Sequence, residues 1–428
     1  MFSNLIRTVT NSTLFRSAGI YTLSKIINSA IPFLMLPVLT RYLTPTDYGI
    51  VAMFYVLVGI VSPFIGLSIH GSIGVKYFYK NETDLSNYIG NSLFLLLLSS
   101  VCVSAVIWIF AAPISRLLSF PKEWLWAAIV IAVGQFVMSV QMTLWQVEHR
   151  AVQYGVFQNL QTLLNLGLSI LLIVGMGMNW KGRIDAQIAS VFVFACASLF
   201  ILYRDRLLKF RFDWVHIKYA LGFGIPLIPH DLGAMVITQT DRIFITNMVS
   251  IADAGIYTVG FQIAYLIELV ASAFNQAYSP WLFRHLKEDT PGMKDKIVKF
   301  TYVYFVLILS AAVLFSFFVP LFLRYMVGKD FIMAGKYTFW IALGFAFSGM
   351  YYMVANYIFF VGRTAPLAWV TFFTALLNVL FNYVLITMNG AVGAAQASAL
   401  AYFLSFIFTW ILSAKVYAMP WNLKKLLA

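Results

Sequence analysis

Charge is what this chain has least of. Only 11% of its 428 residues are Asp, Glu, Lys or Arg, against about 25% in an ordinary soluble domain. A polar shell wide enough to cover a soluble globule is excluded. Cysteine is nearly absent: Cys102 and Cys196 both sit in apolar runs, which rules out a disulfide framework or a cysteine metal cage. The five histidines are scattered, and H-E-x-x-H does not occur. Nor does G-x-x-x-x-G-K-[ST], so ATP hydrolysis through that phosphate loop is excluded. Long polar loops are missing too. The longest connections, 204–218 and 283–298, are short and basic, and no loop on the other side has room for a catalytic domain. The expectation is a protein that is not an enzyme and needs no cofactor.

What is present is hydrophobic: 61% of residues are apolar and 17% aromatic, as expected for packed membrane helices with aromatic belts at two interfaces. Twelve runs approach the ~20 apolar residues that a spanning helix needs. They are 14–39, 48–73, 89–112, 125–147, 154–178 and 184–203, then 219–246, 254–282, 297–323, 334–360, 364–388 and 391–414. The fold class is therefore all-α integral membrane, with about twelve transmembrane helices. The first run is longer than a signal h-region of about 7–15 residues and carries Lys25 inside it, so it reads as a permanent helix.

The net charge of +13 reads as topology and as attraction to anionic lipid, with no nucleic acid implied. Placing the N-terminus inside puts more than twice as many Lys and Arg on the inner connections as on the outer ones, where Lys181 and Arg183 are counted. Both termini are expected in the cytoplasm.

A shift of 206 positions lays Arg41–Leu57 over Asn247–Ile263. Thr44 falls on Ser250, Asp47 on Asp253, Gly49 on Gly255 and Ile50 on Ile256. Each copy lies between two membrane-length runs. Two copies of one helical unit, each with an interfacial helix cap at the same place, explain the match. The chain divides accordingly into a six-helix lobe at 1–203, a basic connection at 204–218, a second six-helix lobe at 219–414 and a tail at 415–428.

Ionisable residues at mid-membrane are the candidates for function, because each costs about 2.5–3.5 kcal/mol on insertion scales. Lys25 is either a cation facing an anionic substrate or half of a structural ion pair. The seventh run holds Pro226 and Pro229 within one turn, so a break is expected there, followed at once by His230 and Asp231. Asp241 and Arg242 lie about three turns on. Adjacent positions point about 100° apart, so the two are not an ideal mutual pair; a structural role competes with a substrate role. Glu268, central in the eighth run, is a partner for a cation such as Lys25 or a titrating group for coupling to H⁺ or Na⁺. Asp231 could serve the same ends. Asn159, Asn165, Gln262, Asn275, Gln276, Asn378 and Asn382 are pore-lining or interhelical hydrogen-bonding candidates.

The run PFLMLPVLTRYLTPTDYGIVAMFYVL resembles the N-terminal signature of bacterial polysaccharide transporters, the Wzx-type O-antigen flippases. Their superfamily also holds the multidrug extruders and the peptidoglycan-precursor flippase. The stretch IPLIPHDLGAMVITQTDRIFITNMVSIADAGIYTVGFQIA resembles the matching second-half signature. The resemblance implies two six-helix lobes around a central cavity in the bacterial inner membrane. It also implies translocation of an undecaprenyl-pyrophosphate-linked oligosaccharide for O-antigen or other surface polysaccharide synthesis, alongside a polymerase and chain-length machinery. It places substrate-facing cations on the first helix, where Lys25 fits, and in the second lobe, where Arg242 fits less well; His230 joins them as a substrate candidate. Asp231, Glu268 and Asp241 are the ion-coupling candidates. The rivals are a small-cation or multidrug antiporter of the same superfamily, which would favour an acidic cavity, and a membrane-embedded polysaccharide polymerase or ligase, which would need a substantial outer loop.

Overall fold

A computed structural model describes residues 24, 27–28, 31, 33–79, 84–288, 290–363 and 365–422. The described residues are helical, without strands. In order they form α1 (Leu36–Tyr42), α2 (Pro45–Val61), α3 (His70–Phe78), α4 (Leu85–Ile109), α5 (Ala111–Leu118), α6 (Leu125–Val147), α7 (Ala151–Ile170) and α8 (Trp180–Arg204). Then come α9 (Trp214–Gly224), α10 (Ile228–Met248), α11 (Ile251–Glu288), α12 (Met293–Met326), α13 (Gly335–Val361), α14 (Ala365–Asn389) and α15 (Ala391–Val416). Among the described residues, nine helical segments are long and apolar enough to cross a membrane. They match the third to sixth and eighth to twelfth runs of the sequence. The first run lies largely outside the described residues, Lys25 included.

The repeated cap is present in both halves. Thr44 and Asp47 close a capping box on α2: the Asp47 amide donates to the Thr44 hydroxyl at 3.1 Å, and the Thr44 amide donates to the Asp47 carboxylate at 3.1 Å. At α11 the Asp253 amide donates to the Ser250 hydroxyl at 3.0 Å, and that hydroxyl donates to the Asp253 carboxylate at 2.6 Å. Each set satisfies backbone donors that a helix start leaves open.

Two spans are interrupted. The seventh tightens to a 3-10 turn at Ile225–Leu227, between α9 and α10, where Pro226 stands, and bends by 45° further on, between Trp214–Gly233 and Met235–Met248. The second differs from the continuous helix expected over 48–73. Turns occupy 62–69, and three successive residues, Gly66, Leu67 and Ser68, have φ of 73°, 52° and 52°. Two of these carry side chains in the left-handed region, which costs energy and persists only where surrounding packing enforces it. The glycine is required twice over, since a Cβ there would also lie 2.2 Å from the Phe136 ring.

The chain folds as two compact units, Met1–Met235 and Val236–Ala428. The basic connection at 204–218 therefore precedes the packing division, because α9 packs on α3 and α4 within the first unit. The second unit has a core of buried aromatic and aliphatic side chains from α11 to α15, with Ala394, Ala395 and Ala397 wholly buried on α15. Small side chains there let helices approach closely, as membrane helices must when lipid supplies no hydrophobic drive.

Candidate functional site

In the first unit the two broken spans meet. Gly224, at the end of α9, lies against the left-handed turn of 66–68: a Cβ at Gly224 would sit 2.1 Å from the Leu67 carbonyl oxygen. Seven residues on, Asp231 accepts a 2.7 Å hydrogen bond from the Ser68 hydroxyl. The turn is held from its other side by the Gly66 amide, which donates to Ser99 Oγ on α4 at 2.9 Å. Beside Ser68, the His70 imidazole lines the same cavity as Asp231. The same ring meets Phe136 edge-on at 6.2 Å.

These groups line a cavity of about 290 Å³. Ser62, Ser68, His70, Gln135, Ser139 and Asp231 give it polar walls. A carboxylate, an imidazole and hydroxyls gathered in a spanning region are costly unless they serve something, since each would otherwise be desolvated for nothing. The arrangement can accept and release a proton, hold a hydrated cation or hydrogen-bond a sugar hydroxyl. Among the described residues no group of three His, Cys, Asp or Glu is gathered to hold a metal ion. His230, next to Asp231, is exposed and takes no part in the Ser68 contact.

Sequence reasoning found Asp231 but not its partners. Ser68 lies 163 positions away in a run that reads as uninterrupted. The signal available was Ser62-Pro63 with Gly66 close behind, a turn-forming cluster inside an apolar stretch.

Arg183 was missed in the same way. Counted as an outer-loop charge, it lies inside α8 and points at α7, donating to Asn165 Oδ1 at 2.6 Å and Ser169 Oγ at 2.9 Å. Asn165 also donates to Gln187, which accepts from the Tyr55 hydroxyl at 3.4 Å. Asn28 of the first run donates to Thr162 Oγ1 at 2.8 Å. Asn165 is thus an interhelical partner.

The other candidates lie in the second unit and form two further polar centres. Asp241 is 2% and Arg242 7% exposed, and they pair: Arg242 Nη1 lies 3.2 Å from Asp241 Oδ1. This corrects the expectation from their 100° separation. The arginine stem is long enough to curl back along α10, where Nη1 also donates to the Thr238 carbonyl at 2.8 Å. The guanidinium lies 4.4 Å from the centre of the Phe261 ring, and the Tyr257 hydroxyl donates to the other Asp241 oxygen. Both charges are thereby matched inside the unit.

Glu268, on α11, accepts from the Tyr352 hydroxyl of α13 at 2.5 Å. About two turns further along α11, Asn356 donates to Asn275 at 2.9 Å. Asn378 and Asn382 are buried on α14, and the bond between them runs within the helix, from Asn382 Nδ2 to the Asn378 carbonyl at 2.9 Å.

Comparison with known proteins fits this architecture. An uncharacterized membrane protein of Haemophilus influenzae is 27% identical over 362 residues, covering 83% of this chain and 86% of that protein. The succinoglycan biosynthesis transport protein ExoT of Rhizobium meliloti is 22% identical over 266 residues, covering 60% of this chain and 51% of its own length. Among solved structures, the lipid II flippase MurJ in an inward closed conformation superposes with a TM-score of 0.73, covering 96% of this chain and 89% of that one. At 14% identity that likeness is one of fold. Residues 14–286 match the polysaccharide biosynthesis protein family, so that this multi-pass membrane chain, with two signature copies and the fold shared by flippases and multidrug exporters, is a member of that family.

Proposed function

We propose that this protein carries a lipid-linked glycan across the membrane, moving an undecaprenyl-pyrophosphate-linked oligosaccharide from the cytoplasmic to the periplasmic leaflet of a bacterial inner membrane. The observation that carries the reading is the cluster of Ser68, His70 and Asp231 in a cavity where two interrupted spans meet. A sugar hydroxyl entering hydrocarbon without a partner loses about 4–8 kcal/mol on a cyclohexane scale. An oligosaccharide carries many such groups, so a path lined with hydroxyls, amides and ionisable side chains is the requirement. Family membership and the shared fold with a lipid II flippase support the same conclusion.

In this mechanism the lipid tail stays in the bilayer while the polar head passes between alternately opened faces. Lys25, outside the described residues, attracts the pyrophosphate, and His230, exposed on α10, is a second substrate contact. Asp231 and Glu268 are the groups through which an H⁺ or Na⁺ gradient resets the carrier. Arg242 and Asp241, matched to each other and to Thr238 and Tyr257, hold the second unit together.

The test is flipping of a labelled lipid-pyrophosphate glycan in proteoliposomes by wild type and Lys25→Ala at equal insertion. Movement by wild type and strong impairment of the variant support the reading. Equal movement by both removes Lys25 from the anion site. No movement by wild type, with or without an ion gradient, counts against this substrate class.

A further inference from the structure

A second feature lies far from the Asp231 cavity in the sequence and independent of the glycan. Where α11 ends and α12 begins, a groove of about 560 Å³ is lined by Phe274, Tyr278, Trp281, Met293, Phe300 and Lys296. Its walls are flat. The Phe274, Tyr278 and Phe300 rings stack at 5.7–6.1 Å with interplanar angles of 16° to 28°. Trp281 and Phe300 remain 41% and 42% exposed, and the His285 ring lies 4.4 Å from that of Trp281. A groove walled by flat rings suits an extended hydrocarbon chain.

One end of the groove is charged. Among the lining residues Lys296 is the one that carries a charge, and it is exposed. In the sequence Arg284, Lys287, Lys294 and Lys299 flank it, against Glu288, Asp289 and Asp295, so the local balance is still positive. These residues belong to the basic connection that the positive-inside rule assigns to the cytoplasm.

We propose that this groove binds one anionic phospholipid of the inner leaflet, an acyl chain lying along the aromatic wall and the phosphate meeting Lys296. Within a bilayer, an apolar groove gains no hydrophobic preference for one lipid tail over another. Selection must come from the head, and the side chain placed to make it is a cation. One interfacial lysine corresponds to roughly a five-fold preference for a negatively charged head.

The experiment is native mass spectrometry of the full-length protein with phosphatidylglycerol and phosphatidylcholine of matched acyl chains, supplied in equal amounts. Wild type retains phosphatidylglycerol about five-fold over phosphatidylcholine. Lys296→Gln brings the ratio close to one, and Phe300→Ala lowers retention of both lipids. Lys336→Gln, at the start of α13, leaves the ratio unchanged and shows that a general loss of charge is not responsible. Equal retention of the two lipids by wild type, an unaltered ratio in Lys296→Gln, or displacement of the bound lipid by excess glycerol phosphate would overturn the proposal; the last would mean a site for the free headgroup.

Discussion

Removing the Arg242 guanidinium should destabilise the second unit far more than a cavity-facing residue would. Arg242→Met keeps much of the stem and its packing but takes away the charge. Asp241 would then be buried with only the Tyr257 hydroxyl left among the side chains that now meet it, and the Thr238 carbonyl would lose its donor. Breaking a buried pair from one side costs about 3–5 kcal/mol, because the remaining charge is uncompensated. The contact with the Phe261 face adds up to about 2 kcal/mol in a desolvated setting. Asp241→Asn in the same background removes the orphaned charge while keeping an acceptor for Tyr257. The double variant should therefore recover most of the loss, with a coupling above about 2 kcal/mol. The assay is reversible unfolding in mixed micelles, followed by tryptophan fluorescence across the four-variant cycle, with glycan flipping measured on the same preparations. A cost below about 1 kcal/mol for Arg242→Met, together with lost flipping at normal insertion, would refute the reasoning and put the guanidinium on the substrate.

Three more outcomes follow from the geometry. Gly224→Ala places a Cβ 2.1 Å from the Leu67 carbonyl, so backbone must move; overpacking of this kind costs about 1–3 kcal/mol, and a thermal unfolding midpoint matching wild type would contradict the close approach. Ser68→Ala removes a hydrogen bond to a charged group, worth about 1.5–3 kcal/mol, and in proteoliposomes both it and Asp231→Asn should blunt the response of flipping to an imposed pH gradient; an undiminished response would take the Asp231 cavity out of coupling. At the aqueous edge, the Lys209 ammonium donates to Asp84 at 2.9 Å and holds that carboxyl below its usual range. Because the folded value is the lower one, this pair's stabilisation is present above the ordinary carboxylate range and fades as pH falls through the folded value. Being exposed and screened, it contributes at most about 1 kcal/mol, and Lys209→Met should remove this small acid-side dependence from a pH series of unfolding midpoints.

Much of the helical framework was legible because a bilayer imposes simple arithmetic. Apolar runs such as 125–147 coincide with their helices, since a spanning segment must satisfy its backbone internally. The caps at Thr44–Asp47 and Ser250–Asp253 were legible because capping is local, within four residues. The 3-10 turn at Ile225–Leu227 was legible because Pro226 and Pro229 lack backbone donors, but the 45° bend lies further on, after Gly233. The break at 62–69 was not legible. Leu67 and Ser68 adopt left-handed backbone that neither residue prefers, and only packing against Phe136, Ser99 and Gly224 holds them there. Arg183 misled for a related reason: hydropathy places a charge near the end of a run outside it, whereas Asn165 and Ser169 on the facing helix give the guanidinium partners inside.

By itself, then, the sequence determined the membrane class, the order of the spans, the repeated cap and the short list of intramembrane charges. All of these depend on composition or on neighbours a few residues apart. Only the tertiary structure decided what each charge meets. Ser68 reaches Asp231 across 163 positions, Arg242 turns back to its own neighbour, and Glu268 finds Tyr352 on another helix. Partners for a buried charge are chosen by which faces the packed helices bring together, and that choice is made through contacts remote along the chain, where no local pattern records it.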